Sequence, residues 1–462
     1  MKAWEIAKKI VDEAPAILVY ETENDWTQND LQSAENNTLR TMWHSKAPGS
    51  GAPASLIAGA VQSVYNMGRN VEEAEYFLGA GYEALKINDM VKLHRNTHEL
   101  FTALNHAPKN EASDYWKYDI YEDFETFEAK CHFTKAEEVE IETAEFKERI
   151  RKSWLAQIAA GAFGTALEGY CRKQILESFG RPNAYLKAPS LYNDDITYEL
   201  VLLVAMLEKG DVPTSFEIAR EWVSRIPFGW SAEDIALRNL RLGVMPPQSG
   251  YLNNPYREWI GAQMRGAVCG YLAPGNPYAA AKLAWIDGEI SHHNNGIIGE
   301  VFNAVLTSMA FVRESAREVL EETIGMLPVS SEYYQVVKST LDYCKTVATY
   351  DEALIWCEDT FKEYNLVHAY PNAAIQVVAL WFGEEDFNKV MEIGAVAGLD
   401  VDCNTAQLGA ILGALKTCVI SKEWTDPLGE ELKTYVRGLE KISMDEVVEM
   451  TIKSARLVKE KM

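Results

Sequence analysis

From about Phe146 onward, apolar runs rich in alanine and glycine alternate with short polar loops, and segments with the period of two that a strand needs are scarce. The runs are Trp154 to Glu168, Thr197 to Glu208, Ile260 to Leu272, Ala279 to Asp287, Glu300 to Phe311, Asn372 to Phe382 and Thr405 to Ile420. They predict an all-α domain, a helical bundle in which small residues such as Gly409, Ala410, Gly413 and Ala414 let helices approach closely. No fixed-period repeat is visible, which disfavours a solenoid.

Three regions follow from this change of character. Residues 1–110 carry helical periodicity, at Ala54 to Tyr65 and Glu72 to Leu85, interrupted by a loop from Ala47 to Pro53, and read as a helical N-terminal module. Residues 111–148 crowd acids together with Tyr, Trp and Phe and read as an acidic connector with a solvated face. Residues 149–462 then read as the large helical domain that carries these runs. Apolar residues make up 47% of the 462, enough to bury a large core. A net charge of −24 repels phosphate backbones and anionic lipid, so nucleic acid and membrane are excluded as first partners. The longest apolar stretch, Leu200 to Leu207, is far short of the roughly 18 to 20 residues of a membrane span. The start of the chain is amphipathic and lacks the apolar core of a secretory signal, which makes the cytoplasm the expected address. Seven scattered Cys without a CxxC pair suggest neither a disulfide framework nor a zinc ribbon.

Two acid-rich segments each open a helix too apolar to be exposed. In the first, Asn193 caps the helix and Asp194 and Asp195 fill its first turn, where the helix dipole stabilises negative charge; Glu199 follows on the same face. In the second, Asp400, Asp402 and Asn404 imitate half an EF-hand loop, but Thr405 replaces its glycine and Ile411 its closing glutamate, so an EF-hand is rejected. If the two helices pack side by side, their carboxylates repel unless protons or a cation neutralise them. Hard oxygen ligands select magnesium, manganese or calcium, so one or two such ions are expected. A third element, Gly161 to Gly169, carries Glu168, which suits a general base aimed at water.

Taken in order, Gly164-Thr-Ala-Leu-Glu-Gly169, Asn193-Asp-Asp-Ile-Thr-Tyr198, Asn254 to Arg265, Ala273 to Ala281, Ile290 to Gly296 and Asp400-Val-Asp-Cys-Asn404 resemble the ADP-ribosylglycohydrolase family, and its bacterial branch with Asn-Asp-Asp in particular. The likeness runs from about 150 to 440 and includes Val367 to Ala374 and Glu423 to Pro427. It implies an all-α bundle with a binuclear magnesium centre that binds a ribose and cleaves its C1 glycosidic bond. Position by position, it implies Asn193, Asp194, Asp195, Asp400, Asp402 and Cys403 at the metal centre, with Asp402 bridging, and Glu168 and Asp195 as catalytic residues. The implied substrate contacts are Gly261, Arg265, Gly270, Ser291, His292, Asn295 and Gly296. Cys403 stands where many members have Thr or Ser, and a thiol is a poor magnesium donor, so Asn404 or water substitutes. Val401 replaces a polar residue between the two aspartates, Asn193 stands for a Thr, and Ala162 follows Gly161 where the main branch has Asp.

Phe228, Trp230, Tyr271 and Trp285 are candidates to stack on a flat leaving group. A Ser291–His292 nucleophilic pair is rejected, because adjacent residues rarely face each other and no glycine-flanked elbow surrounds Ser291. His368 beside Pro371 reads as structural. The substrate is therefore a ribosyl group on a small molecule or a protein. The rival readings are a small-molecule N-glycosidase unrelated to ADP-ribose and a non-catalytic binding member of the fold.

Overall fold

The computed structural model describes residues 2–13, 31–44, 46–52, 55–190, 192 and 195–462. Asn193 and Asp194 lie outside the described residues. The described chain is an all-α fold whose sheet structure is a two-stranded ribbon, Glu431–Lys433 paired antiparallel with Lys441–Ser443. None of its helices is long and apolar enough to cross a membrane.

The centre of the large core is a contact between two helices, Ala144–Gly164 and Val401–Ala414. Glycines make it close. A Cβ on Gly409 would lie 2.5 Å from the Ala156 carbonyl oxygen, one on Gly413 2.4 Å from Ser153 Cα, and one on Gly164 2.4 Å from Asp402 Cα. Where the backbones meet, the Thr405 hydroxyl donates to the Ala160 carbonyl at 2.7 Å. Every residue of the helix Asn295–Ala310 is buried, as expected of a helix apolar on all sides and enclosed by others. Several amides inside this core bond one another: Asn404 donates to Asn372 at 2.7 Å, and Gln407 accepts from Gln263 and Gln376.

Two expected helices differ from the spacing. The run Ile260 to Leu272 breaks into Gly261–Met264 and Ala267–Leu272, because Arg265 turns into the core and Gly266 lies against the Glu300 carbonyl, where a Cβ would come within 2.6 Å. The run from Thr405 stops at Ala414, where the ammonium of Lys152 takes the carbonyls of Leu415 and Cys418 at 2.7 and 3.1 Å.

A second, smaller core gathers Trp43, Ile57, Val61, Leu93 and Leu100 with Tyr256 and Trp259. The N-terminal helices therefore dock on the segment that precedes Gly261. The Ser63 hydroxyl donates to the Pro255 carbonyl at 2.7 Å and the Tyr256 hydroxyl to the Leu56 carbonyl at 2.9 Å. In the 111–148 region acids face outward, while Tyr121, Phe127, Ile141 and Phe146 join the large core.

His368 caps the helix Ala369–Gly383, its Nδ1 accepting from the Tyr370 N–H at 3.2 Å. Burial pushes its pKa from the ordinary 6.5 down to about 3. The unfolded chain then binds a proton that the folded one refuses, so stability falls as pH drops from about 6.5 towards 3. Between pH 7 and 5 that loss is about 2 kcal/mol. His368→Asn, which keeps a capping side chain, shows a difference in unfolding free energy between pH 7 and pH 5, from urea titration, that is smaller by this amount; an unchanged difference would clear His368 of the effect.

Candidate active site

The helix Ala144–Gly164 ends one turn before Glu168, which the spacing had included in it. Glu168 sits instead on the turn 165–169, tied from two sides: Gly169 N–H donates to the Leu399 carbonyl at 2.9 Å, and Gly49 N–H donates to the Glu168 carbonyl at 2.8 Å. Gly169 has φ +81° with Ala47 against its Cα, where a Cβ would lie 2.5 Å from the Ala47 side chain; both the backbone conformation and the close approach require glycine.

Opposite this turn, Asp400 occupies the N-cap position of Val401–Ala414 and Asp402 its first turn. An oxygen of each and the Cys403 sulfur lie within 4.8 Å of one another, the group of metal-ligating type found among the described residues. Both aspartates are buried. Burial pushes the Asp400 carboxyl well above its ordinary range, with the charges of Asp402 and Glu168 adding to the shift. Burial likewise raises Asp402. Asp402 Oδ1 is buried with no hydrogen-bond partner. Buried, mutually repelling oxygen donors with an orphaned lone pair fit a hard divalent cation. The Cys403 thiol lies 3.8 Å from the Met264 sulfur. Asp195 is fully buried at the start of Asp195–Lys209 and is not part of the three-residue group.

Glu168, Asp400, Asp402 and Cys403 face one cavity of about 350 Å³. Its far wall is Glu233, Gly261 and Met264; its mouth carries Phe228, Trp230 and Tyr435, with Phe228 and Tyr435 stacked at 4.7 Å and 24°. Ser50, Ala52 and Leu56 of the N-terminal region complete the lining.

Of the seven expected substrate contacts, Gly261 lines the cavity, and the other six are buried and are not among its lining residues. Arg265 is 1% exposed and donates to Glu233 at 3.1 Å, to Ser291 at 3.0 Å and to Asp287. Burial opposes its charge, but Asp287, Glu300 and Glu233 together hold its pKa above the ordinary value. Ser291 and His292 do meet, Oγ to Nδ1 at 2.8 Å, contrary to the expectation for neighbours. The pair is buried beside Arg265, and His292, pushed well below its ordinary pKa by burial and by Arg265, accepts the Ala262 N–H at 3.3 Å. Asn295 bonds Glu258 at 3.3 Å. Gly270 and Gly296 serve packing, since a Cβ on either would come within 2.5 Å of Thr307 and 2.3 Å of the Arg257 carbonyl. Among the aromatic candidates, Phe228 and Trp230 reach the mouth, while Tyr271 and Trp285 are core, the Tyr271 hydroxyl donating to Gln157 at 2.9 Å. Glu199, on the face of Asp195, is held in the core by Gln157 at 2.8 Å and the Val268 N–H at 3.2 Å.

Glu233, Trp259 and Tyr435 are additions that the sequence did not single out. Glu233 reads there as an ordinary acid in the first turn of the helix Ser231–Arg241, and nothing local marks it as facing a cavity.

An all-α fold thus brings the carboxylates at the N-terminus of a buried helix to one cavity with Glu168 on its strapped turn. The chain matches the ADP-ribosylglycohydrolase family over residues 142–454 and belongs to it. Family membership suggests glycohydrolase activity. A solved structure described as an ADP-ribosylglycohydrolase-related protein complex is similar in fold, with a TM-score of 0.50 and 18% identity over 68% of this chain and 100% of that one. No curated protein matches the chain. The family match begins beyond Ser50, Ala52 and Leu56, so part of the cavity lining lies outside it.

Proposed function

We propose that the protein is a metal-dependent glycohydrolase that cleaves the C1 bond of a ribosyl substrate. The observation that carries this reading is the convergence of Glu168, Asp400 and Asp402 on one cavity, with Asp402 Oδ1 buried and unpartnered. Asp400 and Asp402, joined by Asn193, Asp194 and Asp195 from the other acid-rich helix start, would hold one or two divalent cations, magnesium first and manganese or calcium as substitutes. Such an ion supplies positive charge that lets the carboxylates stay ionised together and that orients ribose hydroxyls and water.

Glu168 takes a proton from the water whose oxygen bonds to C1 as the C1 bond to the leaving group breaks. The same proton then neutralises the departing group. Phe228, Trp230 and Tyr435 stack on a flat leaving group at the mouth, and Leu56 with Trp259 keeps bulk water from one side. The proposal includes a cytoplasmic address, in keeping with seven scattered cysteines and no CxxC pair in the sequence.

Calorimetric titration of magnesium or manganese into chelator-stripped protein tests the centre. Binding in the micromolar range is expected for the wild type and its loss for Asp402→Ala. Wild type that binds neither ion would leave a non-catalytic member of the fold as the reading.

A further inference from the structure

Cys403 is a soft donor set beside two hard ones. Its sulfur lies with an oxygen of Asp400 and an oxygen of Asp402 in a group whose atoms are all within 4.8 Å of one another, and the three residues line the same cavity. Ligands of one zinc ion sit at about 2.0 to 2.3 Å from the metal and so stand at most about 4.5 Å apart, which means this group needs little adjustment to close on a single ion. Asp402 is 8% exposed, and its Oδ1 has no hydrogen-bond partner. A buried carboxylate oxygen left so, next to a second carboxylate, calls for a positive charge.

The thiol itself is engaged on two sides. It lies 3.8 Å from the Met264 thioether, another residue of the lining, and it hydrogen-bonds the Asp400 carboxyl. A cation that enters here takes the place of the thiol hydrogen: the sulfur–metal bond forms as that proton passes to the buffer. Two sulfurs and two carboxylates then border the ion. Magnesium demands near-octahedral oxygen ligands and gains nothing from sulfur, whereas zinc, cobalt and iron(II) accept thiolate. The oxygen donor expected to stand in for Cys403 is not at hand, since Asn404 is wholly buried outside the lining and bonds Asn372 at 2.7 Å. The Thr405 hydroxyl is turned to the Ala160 and Val401 carbonyls, at 2.7 Å each. Three protein donors with one side open to a cavity is also how a catalytic zinc is held, in contrast to the closed four-ligand set of a structural one.

We infer that the position bounded by Asp400, Asp402 and Cys403 takes a divalent ion of the zinc and cobalt class ahead of magnesium, with the Cys403 sulfur as a ligand. The inference rests on the metal-dependent reading above and changes its first choice of ion at this one position. Cobalt reports its own ligands, so cobalt and magnesium are titrated separately into the chelator-stripped, reduced full chain. Later transition ions outbind earlier ones at most sites, so a lower Kd for cobalt decides nothing by itself. The deciding signal is a near-ultraviolet sulfur-to-cobalt charge-transfer band, expected to rise with bound cobalt in the wild type and to be absent in Cys403→Ser. By calorimetry the variant is expected to lose about tenfold or more in cobalt affinity while keeping its magnesium affinity, because serine offers an oxygen of the same reach. Asp402→Ala is expected to lose the band as well. Cobalt bound by the wild type without the band would overturn the inference and leave the metal-dependent reading standing. So would a band that survives in Cys403→Ser and therefore comes from another cysteine, or equal losses of cobalt and magnesium affinity in that variant. Wild type that binds neither ion would remove both readings. The wild-type spectrum requires no substitution, so it decides the matter whether or not the serine variant folds.

Discussion

Glu168→Gln loses turnover by about 10²- to 10⁴-fold, the usual contribution of a positioned acid or base, while metal binding survives. Glutamine keeps the shape and the hydrogen-bonding reach of the side chain and removes only its ability to accept a proton. The turn that carries residue 168 is fixed through its backbone, by the Gly49 N–H on one side and the Gly169–Leu399 bond on the other, so the substitution leaves that geometry in place. Metal affinity is not expected to fall, because the Glu168 charge is one of the causes that raise the Asp400 pKa, and its removal lets Asp400 ionise more easily. Single-turnover rates and a parallel metal titration separate the two effects. Unchanged turnover would remove Glu168 from the mechanism.

Gly164→Ala and Gly409→Ala each unfold at a lower urea concentration, by about 1 to 3 kcal/mol, the usual cost of forcing a methyl group into a filled core. At both positions the new Cβ meets backbone rather than a side-chain tip: Asp402 Cα and N at 2.4 and 2.6 Å for Gly164, and the Ala156 carbonyl at 2.5 Å for Gly409. Backbone cannot rotate aside, so the two central helices must part. The two variants differ in what they carry with them. Displacement at Gly164 moves Asp402 and is expected to weaken metal binding as well, whereas Gly409 lies two turns further along the helix and is expected to lower stability alone. Gly325→Ala, exposed in the helix Ala316–Met326 with nothing within 4 Å of its Cβ position, is the control and is expected to be neutral or stabilising. Equal metal affinity in the Gly164 and Gly409 variants would show that Asp402 tolerates the shift.

The helices were legible because alanine, glycine and period carry the information locally. Glu168, Asp400 and Asp402 were legible as partners because acids beside buried runs have few other reasons to be there. What the sequence did not reveal is which way a segment faces. Arg265, Ser291 and His292 are the residue types that bind substrate, but one buried arginine surrounded by Glu233, Asp287 and Glu300 satisfies a core network equally well, and only the break between Gly261–Met264 and Ala267–Leu272 turns it inward. Glu233 shows the converse. Its helix-start position looks ordinary, and its role comes from the absence of a side chain on Gly261, where a Cβ would overlap its carboxylate. Tyr435 comes from a segment beyond every motif and reaches the mouth through Phe228.

The loop 46–52 belongs with the smaller core and precedes the family match, yet it grips the peptide that bears Glu168 and walls the cleft. A change of sequence in this one loop therefore alters two things at once, the shape of the cavity wall and the hold on the turn that carries Glu168.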